Sequence, residues 1–143
     1  MLTAETKQTA CRLLVVEDDP DDFFLFKRAA QHAQLSLNRE IKCEYVSNGL
    51  DAVLLVSQKD IIDKLPDALV LDLNMPRLNG IKFLRSLRNS LALKALPVFV
   101  LTTSTEAAVH AEAIQAGANK VFVKPNNSES LVKIATEIVT AAE

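Results

Sequence analysis

Four short segments of this 143-residue chain carry residues suited to phosphate and cation chemistry: Glu17-Asp18-Asp19, Asp72-Leu73-Asn74-Met75-Pro76, Thr102-Thr103-Ser104 and Lys124-Pro125. Carboxylates brought together repel one another unless a cation neutralises them. An all-oxygen set favours a hard ion, and Mg²⁺ is held by a few carboxylates together with water and phosphate oxygens. A carboxylate can also be a nucleophile and form an aspartyl phosphate. Phosphoryl transfer asks mainly for positioning and charge neutralisation. A lysine ammonium and a threonine hydroxyl each offer a contact to a phosphoryl oxygen. Gathered in one place, these residues are a complete set for phosphorylating a carboxylate.

The elements that would gather them are legible. Each segment follows a short apolar run: Cys11–Val16, Ala68–Leu71, Val98–Leu101 and Lys120–Val123, with a fifth run at Cys43–Val46. Four are nearly continuous in apolar character, which suits parallel strands covered on both faces. The Cys43–Val46 run is shorter and more polar and reads as an edge strand; it leads only into Ser47-Asn48 and is assigned no chemistry.

Amphipathic stretches separate the runs. Asp19-Pro20-Asp21-Asp22 opens the first helix: Asp19 can cap, Pro20 suits the first helical position, and the acids favour the positive end of the dipole. Asn48-Gly49 is a turn before a helix over Leu50–Gln58, and Asn79-Gly80 precedes one over Ile81–Asn89. Thr105–Ala116 stops at Gly117, and Ser128–Ala141 starts with Ser128 as its cap. The connection around Leu35–Lys42 looks long. Strands alternating with helices predict an α/β fold, a doubly wound five-stranded parallel sheet in one domain over residues 11–143, after a tail over 1–10. Such sheets bind ligands beyond the carboxyl ends of their strands, the rim to which all four segments belong.

Composition excludes other classes. With 16 basic and 18 acidic residues the net charge is −2, no footprint for nucleic acid, and one Tyr without Trp makes no stacking platform. No apolar run reaches the length of a membrane span, and the first ten residues are polar, so no membrane partner and a cytoplasmic location are expected. Cys11 and Cys43 lack redox or zinc spacing and read as reduced thiols at strand starts, near each other if those strands are neighbours.

The ordered pieces LLVVEDDP, ALVLDLNMPRLNG, PVFVLTTS and VFVKP resemble the receiver domains of two-component response regulators, over roughly Cys11 to Ala142. The single-domain chemotaxis type is included in this likeness. The resemblance implies a flavodoxin-like sheet of strand order 2-1-3-4-5. It further implies that Asp72 accepts a phosphoryl group from a histidine kinase or histidine phosphotransfer protein. Asp18 would contact Mg²⁺ directly, Glu17 beside it often acts through water, and Asn74 would lend a backbone carbonyl. Thr102 matches the hydroxyl switch and Lys124 the lysine that pairs with the phosphoryl group. Pro125 follows a peptide bond that is often cis in this family. Two departures stand out: Val121 replaces the usual switch aromatic, while Phe122, one position on, points to the other face of its strand; and Glu17 replaces the commoner Asp. The combination resembles stand-alone receivers associated with bacterial phytochromes. With no DNA-binding segment in the sequence, output is expected through a downstream protein target.

Several residues have plainer readings. Asp21 and Asp22 read as helix-start acids rather than metal ligands, Asp19 as a cap, and Asp67 as a turn residue. Ser104 is read as tuning water access to the phosphoryl group; satisfying loop backbone is the alternative. His32 and His110 read as surface histidines rather than a phosphohistidine relay. Phe23 and Phe26 share a helix face and read as core; Phe24 is left as a partner contact. The alanine-rich helix Thr105–Ala116 is either a homodimer face or simply exposed alanine favouring helix. Among other functions, a phosphatase working through an aspartyl phosphate needs a second Asp where Asn74 stands. A flavin protein would place a Ser-, Thr- and Gly-rich loop where Glu17-Asp18-Asp19 stands. A receiver-like binding module that works without phosphorylation is the main alternative; Asp72, Asp18 and Lys124 weigh against it and Val121 for it.

Overall fold

A computed structural model of the chain describes residues 10–47, 65–73, 79–89, 93 and 95–142. The elements in chain order are β1 (Cys11–Val16), α1 (Pro20–Leu37), β2 (Ile41–Val46), β3 (Ala68–Asp72), α2 (Gly80–Asn89), β4 (Val98–Thr102), α3 (Ala107–Ala116), β5 (Lys120–Val123) and α4 (Ser128–Ala141). All five strands pair in parallel, in the order β2-β1-β3-β4-β5. The expected turn at Asn48-Gly49, the helix over Leu50–Gln58, and Asn74 lie outside the described residues.

Burial explains the order. Every residue of β3 and β4 is buried, as continuous apolar runs in the middle of a doubly covered sheet must be. β2 alternates between buried and exposed positions, as an edge strand does. One face of the sheet packs Leu14, Val16, Leu69, Leu71, Val98 and Val100 against α2 and α3. The other packs Leu13, Val15, Val70, Phe99, Leu101 and Phe122 against α1 and α4. Alanines 29, 30 and 33 of α1 are buried where α4 approaches, and small side chains permit that close contact. Phe26 is buried, and Phe23 stacks on Tyr45 with ring centroids 4.4 Å apart. Phe24 is 59% exposed.

Several boundaries differ from the sequence expectation. The Leu35–Lys42 connection is not a long loop: α1 continues to Leu37, and Asn38 turns left-handed at φ 50° and donates its N–H to Gln34 O. The Gln34 side chain then accepts the Ile41 N–H at 2.8 Å, so the chain enters β2 at once. α3 starts at Ala107, with Thr105 and Glu106 still in the loop. The cap of α4 is Asn127, whose Oδ1 accepts the Ser130 N–H at 2.8 Å; Ser128 is already the first helical residue. Asp19 does cap α1 through the Asp21 N–H at 2.9 Å, and Asn79 caps α2 through the Lys82 N–H at 3.1 Å. Asp67 accepts the Arg12 N–H at 2.8 Å, joining β1 to the start of β3. Cys11 and Cys43 lie on neighbouring strands, with Leu13 opposite Cys43, and neither forms a disulfide.

The end of the sheet opposite the rim is held by one guanidinium. Arg88 donates to Gly117 O at 3.0 and 2.8 Å, to Leu96 O at 2.5 Å, and to Asn119 Oδ1 at 3.1 Å. Asn119 Oδ1 also accepts the Val98 N–H at 2.8 Å. Gly117 has φ +121°, and a Cβ there would lie 2.4 Å from Arg88 Cγ. Gly117→Ala is therefore expected to cost about 1–3 kcal/mol in chemical denaturation, through backbone strain and displacement of the guanidinium. An unchanged midpoint would contradict this. No helix among the described residues is long and apolar enough to cross a membrane.

Candidate functional site

The backbone ladder continues one residue past the strand ends, and this locks the rim. Glu17 N–H donates to Val46 O at 3.0 Å, Leu73 N–H to Leu101 O at 3.0 Å, and Lys124 N–H to Thr102 O at 2.7 Å. Glu17, Asp72, Thr102 and Lys124 thereby stand on a rigid edge. Three of them are buried: Glu17 is 4% exposed, Asp72 3% and Thr102 1%.

The site forms around Lys124. Its ammonium lies 3.2 Å from Asp72 Oδ2, 3.3 Å from Glu17 Oε2 and 3.2 Å from Asp22 Oδ2. Carboxylate oxygens of Glu17, Asp18 and Asp72 all come within 4.8 Å of one another, with Asp18 exposed at the mouth. The Asp19 N–H donates to Glu17 Oε1 at 3.3 Å. On the far side, the Ser104 N–H donates to Thr102 Oγ1 at 3.1 Å, which leaves the threonine proton for another acceptor.

The electrostatics are those of a site short of positive charge. Burial first, then the hydrogen bond and repulsion of Asp72, push the Glu17 carboxyl up to about 8, although Lys124 and the Asp19 N–H oppose the shift. Burial works against the Lys124 ammonium, yet Asp72 and Glu17 outweigh it and raise its pKa. Three clustered carboxylates with one ammonium fit a hard divalent cation: the donors are all oxygen, and two are held at fixed positions.

A pH dependence follows. In chelated protein the Glu17 pKa lies above its unfolded value. The stability it contributes is thus full below about 4.5 and is lost as pH rises through about 8. The melting temperature in chelator should fall between about pH 4.5 and about pH 8, and Mg²⁺ should reduce that fall. A flat or rising melting temperature in chelator would contradict it.

The rim brings together Glu17, Asp18, Asp72, Thr102 and Lys124, while Asn74 lies outside the described residues. Asp22 was read as a helix-start acid only; it also reaches Lys124. The Ser104 hydroxyl accepts the Glu106 N–H at 3.1 Å, which satisfies loop backbone as the alternative reading has it. His110 is half-buried rather than on the surface, with Nε2 2.8 Å from Ser104 O; His32 is exposed as expected. No peptide bond is cis among the described residues, so the bond before Pro125 is trans, contrary to expectation. Val121 is half-buried against the α2–α3 face and Phe122 is buried on the other, as strand alternation requires.

Fold and rim define a class: flavodoxin-like doubly wound domains whose chemistry sits on carboxylates and a lysine at the carboxyl ends of the strands. The comparisons narrow it. The family model of the response regulator receiver domain matches residues 13–136, and the chain belongs to that family. Protein PilH of Pseudomonas aeruginosa is 29% identical over 129 residues, 90% of this chain and 97% of that protein. The crystal structure of response regulator RPA3017 in red light signaling of R. palustris superposes with a TM-score of 0.79 at 29% identity, covering 89% of this chain and 90% of that one. The Mn²⁺-bound form of response regulator Rcp1 gives a TM-score of 0.69 at 25% identity, covering 89% and 90%. The LuxQ sensor kinase/phosphatases of Vibrio vulnificus are 28% identical over 84% of this chain, which spans 13% of their length. The chain is thus a receiver domain, of the family of switches used in two-component signalling.

Proposed function

We propose that this domain accepts a phosphoryl group on Asp72 from the phosphohistidine of a kinase or phosphotransfer protein, then signals by changing what protein it binds. The observation that carries this reading is the Lys124 ammonium seated 3.2 Å from the buried Asp72 carboxylate at the rim of a receiver fold. Mg²⁺ would be held by Glu17, Asp18 and Asp72, and by the Asn74 carbonyl on the resemblance of its motif. When bound, it would neutralise charge between the carboxylates and the phosphoryl oxygens.

The chain's own groups do the rest. An Asp72 oxygen forms the new O–P bond as the donor's N–P bond breaks. The bonding pair returns to the imidazole, which leaves neutral when its other nitrogen carries a proton. Lys124 neutralises a phosphoryl oxygen, and the Thr102 hydroxyl donates to another. Hydrolysis removes the group: water attacks phosphorus, the P–O bond to Asp72 breaks, and the carboxylate is released with inorganic phosphate as product. The added charge then favours one of two arrangements of the loops around it.

The test is intact mass after incubation with a small acyl phosphate. Gain of one phosphoryl group that needs Mg²⁺ and disappears in chelator is expected. A folded protein that gains nothing would move the reading to a binding module that works without phosphorylation.

A further inference from the structure

With Val121 on β5, no aromatic ring is available at that position to follow Thr102. A different ring, on α3, reaches the same loop. His110 Nε2 lies 2.8 Å from the carbonyl oxygen of Ser104. Ser104 is also the residue whose N–H holds Thr102 Oγ1 and whose Oγ accepts the Glu106 N–H. The three contacts form one chain from the Thr102 hydroxyl to helix α3.

The start of α3 has little else to hold it. Its N-cap, Glu106, makes no side-chain cap bond, and the first turn carries no acid. Its buried residues, Ala113 and Ala116, both lie in the C-terminal half. That end is pinned further through Gly117 O and Arg88. α3 is therefore anchored at its far end and tied to the switch loop at its near end through His110.

We propose that His110 is a positioning residue that joins the Thr102 loop to α3, so that displacement of the Thr102 hydroxyl tilts the start of α3. A carbonyl oxygen only accepts, so Nε2 must carry the hydrogen. One neutral tautomer and the imidazolium both satisfy this, which makes the tie a mechanical link rather than a proton switch. The inference rests on the reading of Thr102 as the hydroxyl that meets the phosphoryl group.

Amide spectra of the whole chain test it without phosphorylation. Thr102→Ala is introduced alone and together with His110→Phe, which keeps a ring and removes the donor. Alone, it should shift the amides of Ala107–Ala111; with His110→Phe the response should fall by about half or more. His110→Gln, which restores an N–H donor, should return it. His110→Val is the second donor-free variant should the Phe protein fail to fold. An α3 response that is the same without the donor, or that Gln does not restore, overturns the proposal. A second arm adds acyl phosphate and Mg²⁺ and reads mass and spectrum on one sample. A protein that stays unloaded counts against phosphorylation of Asp72, and the Thr102→Ala arm still decides His110. A loaded wild-type protein without an α3 response counts against His110 alone.

Discussion

Asp72→Asn is expected to gain no phosphoryl group from any donor, with or without Mg²⁺. The substitution keeps the size of the side chain but replaces a carboxylate nucleophile with a neutral amide, so no acyl phosphate can form at that position. Because the side chain is 4% exposed and set by the ladder between β3 and β4, no neighbouring carboxylate can move into its place without breaking the sheet. The same variant should also weaken the pH dependence of the chelated protein. Burial is the main reason the Glu17 carboxyl is held up and stays in the variant, but the repulsion from Asp72 is lost with its charge, so the dependence weakens without disappearing. Mass measurement and thermal melting at several pH values check the two parts separately. A phosphoryl group on the Asn protein would relocate the acceptor.

Lys124→Met has the second largest expected effect. Methionine retains most of the stem and removes the ammonium, so the transferred group loses its fixed counter-charge. Phosphoryl uptake should slow by about 10²–10³, the usual loss when one preorganised contact to developing charge is removed. Stability should change too. Removing one partner of a buried ion pair costs roughly 3–5 kcal/mol. Lys124 is 17% exposed and Asp22 43% exposed, so water recovers part of that, and a loss of about 2 kcal/mol near neutral pH is expected in chelator. The loss should grow above about pH 8, where Glu17 is ionised and depends most on the ammonium. Mg²⁺ should bind more tightly, because the variant removes the cation that competes for the Glu17 and Asp72 oxygens. Calorimetric titration reads that sign directly; weaker binding would mean that Lys124 orders the carboxylates more than it competes.

The central architecture was legible because its signal is simple. Strands buried on both faces read as unbroken apolar runs, and Val98–Leu101 and Ala68–Leu71 admit little else. The charged and hydroxyl residues after them fall on one rim by the geometry of a parallel sheet. What escaped involves residues whose type fits two environments. Asp22 in the first turn of a helix satisfies the dipole whether or not it meets a lysine, so its reach to Lys124 left no separate mark. His110 lies on an alanine-rich helix, and without a clear apolar stripe its facing could not be assigned. The end of α1 was obscured by Leu35, a strong helix former that is 79% exposed, and by Asn38 doing the work usually signalled by glycine. The cap of α4 was misplaced by one residue because Asn127 and Ser128 are both good caps and adjacent.

Acyl phosphates differ from phosphate esters in one useful respect: borohydride reduces them to the alcohol. The protein is loaded with an acyl phosphate and Mg²⁺, reduced, and digested, and the peptide containing residue 72 is sequenced by mass spectrometry. Homoserine in place of Asp72, absent from the chelated control, is expected. Homoserine at Asp18 or elsewhere, with Asp72 intact, would contradict the assignment of the acceptor.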